Sequence, residues 1–211
     1  MSDPAAAVEV LETRCCSVGG GPAGMLLALL LARAGIEVVV LEKHADFLRD
    51  FRGDTLHPST LEVMHELGLL DELFARPHQK VSRLTACIEN VEVPVADFSH
   101  LRTRCPFIAF MPQWEFLDLL EKAARRYPTF TLRMRSKVTK LLQENGRVVG
   151  VRALNEDRPL EIRAELVTLT VATGDTLIVL NNLLLTDGLV NTGTLEARGN
   201  VTAAATFDGG S

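Results

Sequence analysis

Apolar runs and the glycines between them divide the first part of the chain. Residues 15–18 are a short apolar stretch, 25–32 a longer one, and 36–41 a β-branched one. Between the first two lies Gly19-Gly20-Gly21-Pro22-Ala23-Gly24. The pattern predicts a buried strand at 15–18, a tight turn, and a helix over 23–34 with Gly35 as its C-terminal cap. A second buried parallel strand follows at 36–41, since a strand covered on both faces is apolar throughout.

Helical and strand periods then alternate. A helix is predicted over 58–67, with Pro58 near its start and Gly68 just past its end, and a helical turn over 70–75. Residues 81–89 and 91–96 alternate as strands, and 107–111 is a short third strand. In 113–126, Phe116, Leu117, Leu120 and Ala124 share one helical face, and Pro128 ends the helix. Strands are predicted at 130–134, 138–144, 147–153 and 160–167, with Asn145-Gly146 as a two-residue hairpin turn. The expected fold is α/β: a Rossmann-like βαβ unit with additional antiparallel strands, forming an incomplete domain, followed by a β-rich C-terminal tail.

Composition changes the picture near Val167. Lys and Arg number 22 and Asp and Glu 27, yet after Val167 the only charged residues are Asp175, Asp187, Glu196, Arg198 and Asp208. The tail is a series of Leu/Val/Thr stretches broken by turn signals at Asp187-Gly188, Asn191-Thr192-Gly193 and Gly199-Asn200. A boundary is therefore expected between 1–167 and 168–211. Short, evenly spaced strands suit a β-solenoid rung, and a plain strand pair or a disordered end remains open for the same stretch.

The net charge of -5 and the lack of a basic patch exclude a nucleic-acid binder. The run 25–32 is too short to span a membrane, and residues 1–13 lack the basic start of a secretory signal. Cys15, Cys16, Cys87 and Cys105 have no metal-ligand spacing and are expected as buried, reduced thiols, with Cys15 and Cys16 on opposite faces of their strand. A cytoplasmic location follows as an expectation. The five histidines form no triad or metal pattern.

The chemistry is carried by the glycine turn. Gly19, Gly21 and Gly24 satisfy G-x-G-x-x-G: the first permits the tight turn, the second lets a diphosphate approach the backbone, and the third lets the helix pack on the strand. The helix start at Pro22 and Ala23 then offers free N–H groups and a partial positive charge. Glu42 closes the second strand roughly 20 residues on, where a carboxylate accepts the ribose hydroxyls of a dinucleotide and repels a 2′-phosphate. The expected cofactor of this site is thus FAD or NAD, not NADP. Lys43 is counted with this set, with a solvated lysine as the alternative.

With those residues in place, the stretch CCSVGGGPAGMLLALLLARAGIEVVVLEK resembles the opening of the single-component FAD-dependent aromatic hydroxylases, the para-hydroxybenzoate hydroxylase-like family. FRGDTLHPSTLEVMHELGLLDEL continues the resemblance, which runs from about Thr13 to Val167. It implies FAD as the bound cofactor, NADPH or NADH as reductant, and a small aromatic substrate. It also implies that Arg52 contacts FAD, that the backbone at Gly53 and Asp54 passes near the flavin, that Gln113 hydrogen-bonds the cofactor, and that the Val138 backbone meets the adenine. The tail is similar in composition to filamentous haemagglutinin-like and autotransporter repeats.

The sequence also departs from that family. Ala164-Glu165-Leu166-Val167 is followed by Thr168 to Thr173 where the family carries its second fingerprint, and the third is not found. Two functional expectations therefore stand. One is an FAD-binding monooxygenase module. The other is a truncated or chimeric remnant that at most holds FAD or an adenine nucleotide. A surface-adhesion fragment ranks third. Halogenases of the same fold are disfavoured because Trp114 is the only tryptophan. On the glycines alone, amine oxidases and disulfide reductases also fit.

Overall fold

A computed structural model describes residues 8–48, 55–89 and 91–169, together with the backbone of four short strands beyond them. The first strand, β1 (Glu9–Val18), leads through the glycine turn into α1 (Pro22–Arg33) and on to β2 (Val38–Leu41). Next come β3 (Thr55–Leu56), α2 (Pro58–Glu66), α3 (Leu70–Phe74), β4 (Gln79–Val81), β5 (Arg83–Ile88), β6 (Val91–Asp97) and β7 (Ile108–Phe110). Then α4 (Gln113–Ala124) precedes β8 (Phe130–Arg133), β9 (Ser136–Glu144), β10 (Arg147–Asn155) and β11 (Arg158–Leu169).

The main sheet has six strands in the order β8-β2-β1-β11-β10-β9. Strands β8, β2, β1 and β11 are mutually parallel, while β9, β10 and β11 form an antiparallel meander. Strand β11 belongs to both halves: its first part pairs with β10, and it runs beside β1 as far as Val18↔Leu169. The second βα unit repeats the first, since α4 leads into β8 as α1 leads into β2. Both helices therefore begin at the same end of the sheet.

The period-2 rule sorts the strand residues between two cores. Cys15, Val38 and Val40 face the helices and pack with Met25, Ala28 and Leu29 of α1 and Phe116, Leu117 and Leu120 of α4. Cys16, Val39 and Leu41 face the other way and pack on Val151, Ala153, Leu160 and Ile162 of the meander. The two adjacent cysteines thus lie on opposite faces, as expected. Cys105 is also buried, but Cys87 is exposed, because β5 and β6 form a separate two-stranded sheet with no layer over it among the described residues.

Both meander turns place two residues at positive φ, the arrangement that matches strand twist. Asn145 and Gly146 lie at 52° and 78°. Glu156 and Asp157 lie at 49° and 65°, a turn the sequence pattern does not announce, because glutamate disfavours that region. Here it is held from outside, with the Arg135 guanidinium donating to Glu156 Oε1 at 2.8 Å. A small sheet, β3-β7-β4, sits before α4; its strand Thr55–Leu56 is too short to show in the alternation.

Beyond Leu169, β12 (Thr176–Val179) pairs in parallel with β14 (Thr194–Ala197), and β13 (Leu183–Leu185) with β15 (Val201–Ala203). The offset is the same in both pairs: Thr176 meets Thr194 and Leu183 meets Val201. Among the described residues no helix is long and apolar enough to cross a membrane.

Candidate functional site

The site lies where β1 and β2 end. Cys15–Val18 and Val38–Leu41 run in register, so the glycine turn leaves β1 beside the residue that follows β2. The Gly19 N–H donates to Leu41 O at 2.9 Å, and Gly19 takes φ 107°, which a side chain would oppose. Gly24 sits so close to the turn that a Cβ there would lie 2.1 Å from Gly19 O. Its role as the packing glycine is thereby explained. At Gly21 an added Cβ meets nothing within 4 Å. That is an open cradle, which is what close approach by a ligand requires.

Helix α1 starts with Gly21 as N-cap and Pro22 in its first turn; no side chain caps it and no acidic residue sits in that turn. The amides of Ala23 and Gly24 have no partner within the helix, as for any helix start. The helix thus offers its own N-terminal amides and positive end to the cradle, with no side chain of its first turn occupying them. Gly21 and Pro22 are half-buried and Ala23 is exposed, so the turn is reachable from solvent. Below it, the Ser17 hydroxyl is fully buried without a hydrogen-bond partner and would lie 3.1 Å from a Cβ on Gly24.

Glu42 is 3% exposed. Its Oε2 accepts the Gly20 N–H at 2.8 Å, and its Oε1 accepts the His44 N–H at 2.9 Å. The His44 Nδ1 lies 3.2 Å from the same Oε1. The main chain of Glu42 is tied on both sides, its N–H to Arg133 O and its C=O to Ser136 N–H. The acid therefore sits against the glycine turn, and not on the solvent face of β2.

Two contributors lie outside the glycine motif's fixed positions. Gly20 occupies a free position of the motif, yet a Cβ there would come within 3.0 Å of Glu42 Cβ and 3.1 Å of Oε2. It makes room for the carboxylate. No sequence signal separates it from its neighbours. His44 is the second. Its spacing of two residues from Glu42 is the only clue, and it becomes meaningful once the acid is known to turn inward.

The remaining candidates are placed as follows. Lys43 is exposed. Val138 is half-buried in β9, packed against the meander core; its strand begins at Ser136, which hydrogen-bonds Glu42 O. Gln113 is half-buried and opens α4, at the end of the sheet where α1 also begins. Pro112 and Gln113 thus stand on the same side as the glycine turn. Arg52, with Gly53 and Asp54, lies outside the described residues. No group of three or more metal-ligating side chains occurs among the described residues.

The donor set fits an adenine dinucleotide. It offers an uncapped helix start over an open cradle, and a buried carboxylate joined to the same turn through the Gly20 N–H. Comparisons with known proteins agree. The family model described as FAD binding domain matches residues 12–168. The 6-methylpretetramide 4-monooxygenase of Streptomyces rimosus is 32% identical over 157 residues, covering 74% of this chain and 37% of that protein. YhjG of Bacillus subtilis, described as an uncharacterized aromatic compound monooxygenase, is 32% identical over 146 residues, 69% of this chain and 28% of its own length. Among solved structures, p-nitrophenol 4-monooxygenase PnpA from Pseudomonas putida superposes with a TM-score of 0.69 at 25% identity, covering 79% of this chain and 42% of PnpA. The chondrochloren halogenase CndH superposes with a TM-score of 0.67 at 27% identity, covering 77% of this chain and 38% of that one, so a halogenase shares the fold. The chain spans about a third of the length of the two relatives it matches here. With the fold, the cradle and the matched residues in agreement, this chain belongs to the FAD binding domain family of flavoproteins.

Proposed function

We propose that this chain is the FAD-binding module of a flavoprotein monooxygenase that hydroxylates a small aromatic molecule using NADPH or NADH and oxygen. The observation that carries the proposal is the pairing of the open cradle at Gly21 with the buried carboxylate of Glu42, joined through Gly20. The aromatic substrate class rests on the relatives, whose names describe monooxygenases of aromatic compounds and phenols. A cytoplasmic location belongs to the same proposal.

In this reading the amides of Gly21, Ala23 and Gly24 hold the diphosphate, with Pro22 presetting the helix start. Glu42 accepts the adenosine ribose hydroxyls and disfavours a 2′-phosphate. The Val138 backbone borders the adenine. Arg52 and Gln113 contact the cofactor nearer the flavin, and Lys43 lies at the solvent edge. When bound, the flavin supplies the electron transfer and the oxygen chemistry. The residues of this chain bind it, orient it, and keep the ribose end out of water.

The test is reconstitution. Apo-protein mixed with FAD should gain a yellow chromophore and quench flavin fluorescence, and NADPH consumption should rise on adding a phenol. A colourless protein that leaves flavin fluorescence unchanged would overturn the proposal. The second reading is a module that holds FAD or an adenine nucleotide without turnover. It is favoured by Thr168 to Thr173 standing directly after Ala164-Glu165-Leu166-Val167, where the resembled family carries its second fingerprint, and it predicts FAD uptake with no phenol-stimulated NADPH consumption.

A further inference from the structure

We infer that the imidazole of His44 is a positioning group for Glu42, and that it sets how strongly the site distinguishes a ribose bearing both hydroxyls from one lacking them. The inference rests on the FAD-binding reading above and concerns the adenosine end of that site.

A carboxylate that is 3% exposed must be held by donors. Gly20 N–H takes one oxygen from the turn side, and His44 takes the other from beyond the strand end, through its main-chain N–H and its ring Nδ1. The two grips hold different oxygens, Oε2 and Oε1, so together they fix the plane of the carboxylate and not merely its position. That plane decides whether two adjacent hydroxyls can both donate to it. Direction matters because hydrogen bonds weaken steeply once bent.

The His44 ring is placed for this task. Its side chain is 41% exposed while Glu42 is buried, so the ring covers the acid from the solvent side. Donation requires a proton on Nδ1, present in the Nδ1–H tautomer and in the imidazolium. The main chain of His44 is anchored separately, since Arg135 N–H donates to His44 O at 2.9 Å. Replacing the side chain therefore leaves the main-chain donor to Oε1 in place. A variant isolates the ring's contribution.

The experiment measures competition of ADP and of 2′,3′-dideoxy-ADP against FAD, with flavin fluorescence as readout, on the full chain. Wild type should prefer ADP. His44→Ala should reduce that preference about fivefold, the scale of one ordinary hydrogen bond, since the main-chain donor to the same oxygen remains, with dideoxy-ADP affinity unchanged. His44→Asn, whose amide nitrogen takes the place of Nδ1, should restore the preference. His44→Gln, whose nitrogen sits further out, should behave like alanine, and serves if the alanine variant does not fold. An unchanged ADP preference in His44→Ala or His44→Gln overturns the inference. So does an equal loss for both nucleotides, which would mark a purely structural residue. A wild type that binds neither FAD nor ADP overturns the FAD-binding reading itself, and this inference with it. Normal FAD binding with an unaltered ratio sinks the His44 inference alone.

Discussion

At the scale of single residues, the three motif glycines do separable work, and the separation can be measured. Gly21 has open space where a Cβ would go. Gly21→Ala should leave the ligand-free protein as stable as wild type while weakening FAD about tenfold, because the methyl group occupies the ligand's approach. Tenfold corresponds to about 1.4 kcal/mol. Gly24 has the opposite character. Its added Cβ would meet a backbone oxygen that cannot swing aside, so Gly24→Ala should cost about 1–3 kcal/mol of stability without any ligand, as overpacking does. Urea midpoints of the two apo-variants, read beside their FAD titrations, check both. The thiols give a third prediction. Burial, and secondarily the neighbouring Cys15, pushes the Cys16 thiol up to about 12, so at pH 8 it stays protonated. Iodoacetamide should label exposed Cys87 first in the native protein and reach Cys16 only on unfolding, as mass spectrometry of tryptic peptides will show.

At the scale of elements, the arrangement of α4 depends on a charge cluster that the periodicity of the helix does not reveal. Arg76, just beyond α3, donates to Glu115 Oε2 at 2.6 Å, to Glu115 O at 2.9 Å and to Asp118 Oδ2 at 2.7 Å. Arg76 and Glu115 are both largely buried. Burial pushes the Asp118 carboxyl up, but hydrogen bonds from Lys122 and Arg76 outweigh it and hold it below the ordinary carboxylate range. A lowered native pKa means this stabilisation is whole above the unfolded value of about 4 and is lost as pH falls through the lower native value. Arg76→Ala should lower stability by about 2 kcal/mol at neutral pH, less than for a fully buried pair because Asp118 is partly solvated. It should also flatten the fall in the urea midpoint between pH 5 and 3. Since α4 begins at Gln113, the same variant tests whether holding this helix matters to the cofactor.

The same elements mark how far the sequence could be read. The glycine turn, α1, α4 and the Asn145-Gly146 hairpin were legible because each carries a local signal: a left-handed turn, a 3.6-residue period or a two-residue loop. The reach of β1 back to Glu9 was not, because Glu9, Glu12 and Arg14 look like solvated loop, and only pairing with β11 makes them strand. Glu156-Asp157 was hidden for the same reason, being held by Arg135 from a distant turn. In the site, Glu42 was legible by spacing. Its inward turn, and hence Gly20 and His44, follows from β2 lying in register with β1, which no local pattern encodes.

At the scale of the whole molecule, β11 is the strand on which the architecture turns. It is the only described strand that pairs with both the parallel half and the meander, and it carries Leu160, Ile162 and Ala164 into the core behind the glycine turn. The composition boundary expected at Val167 falls inside it: Thr168 and Leu169 still pair with Ser17 and Val18, directly beneath the turn. Where the chain is cut should therefore decide the outcome. A chain ending at residue 170 keeps every pair of the main sheet, and should bind FAD within about twofold of the full chain, since no described contact of the site is lost. A chain ending at Asp157 loses β11, strips the cover from Cys16, Val39 and Leu41, and leaves β1 as an unpaired edge beside the site. Burial of Leu160 and Ile162 at about 1.5–3 kcal/mol each, lost together with the β1–β11 and β10–β11 ladders, is comparable to the margin of about 5–15 kcal/mol by which domains fold. That shorter chain should be recovered unfolded or aggregated, without flavin. Circular dichroism and FAD titration of the two truncated chains, side by side, measure whether the fold that holds the cofactor ends with β11.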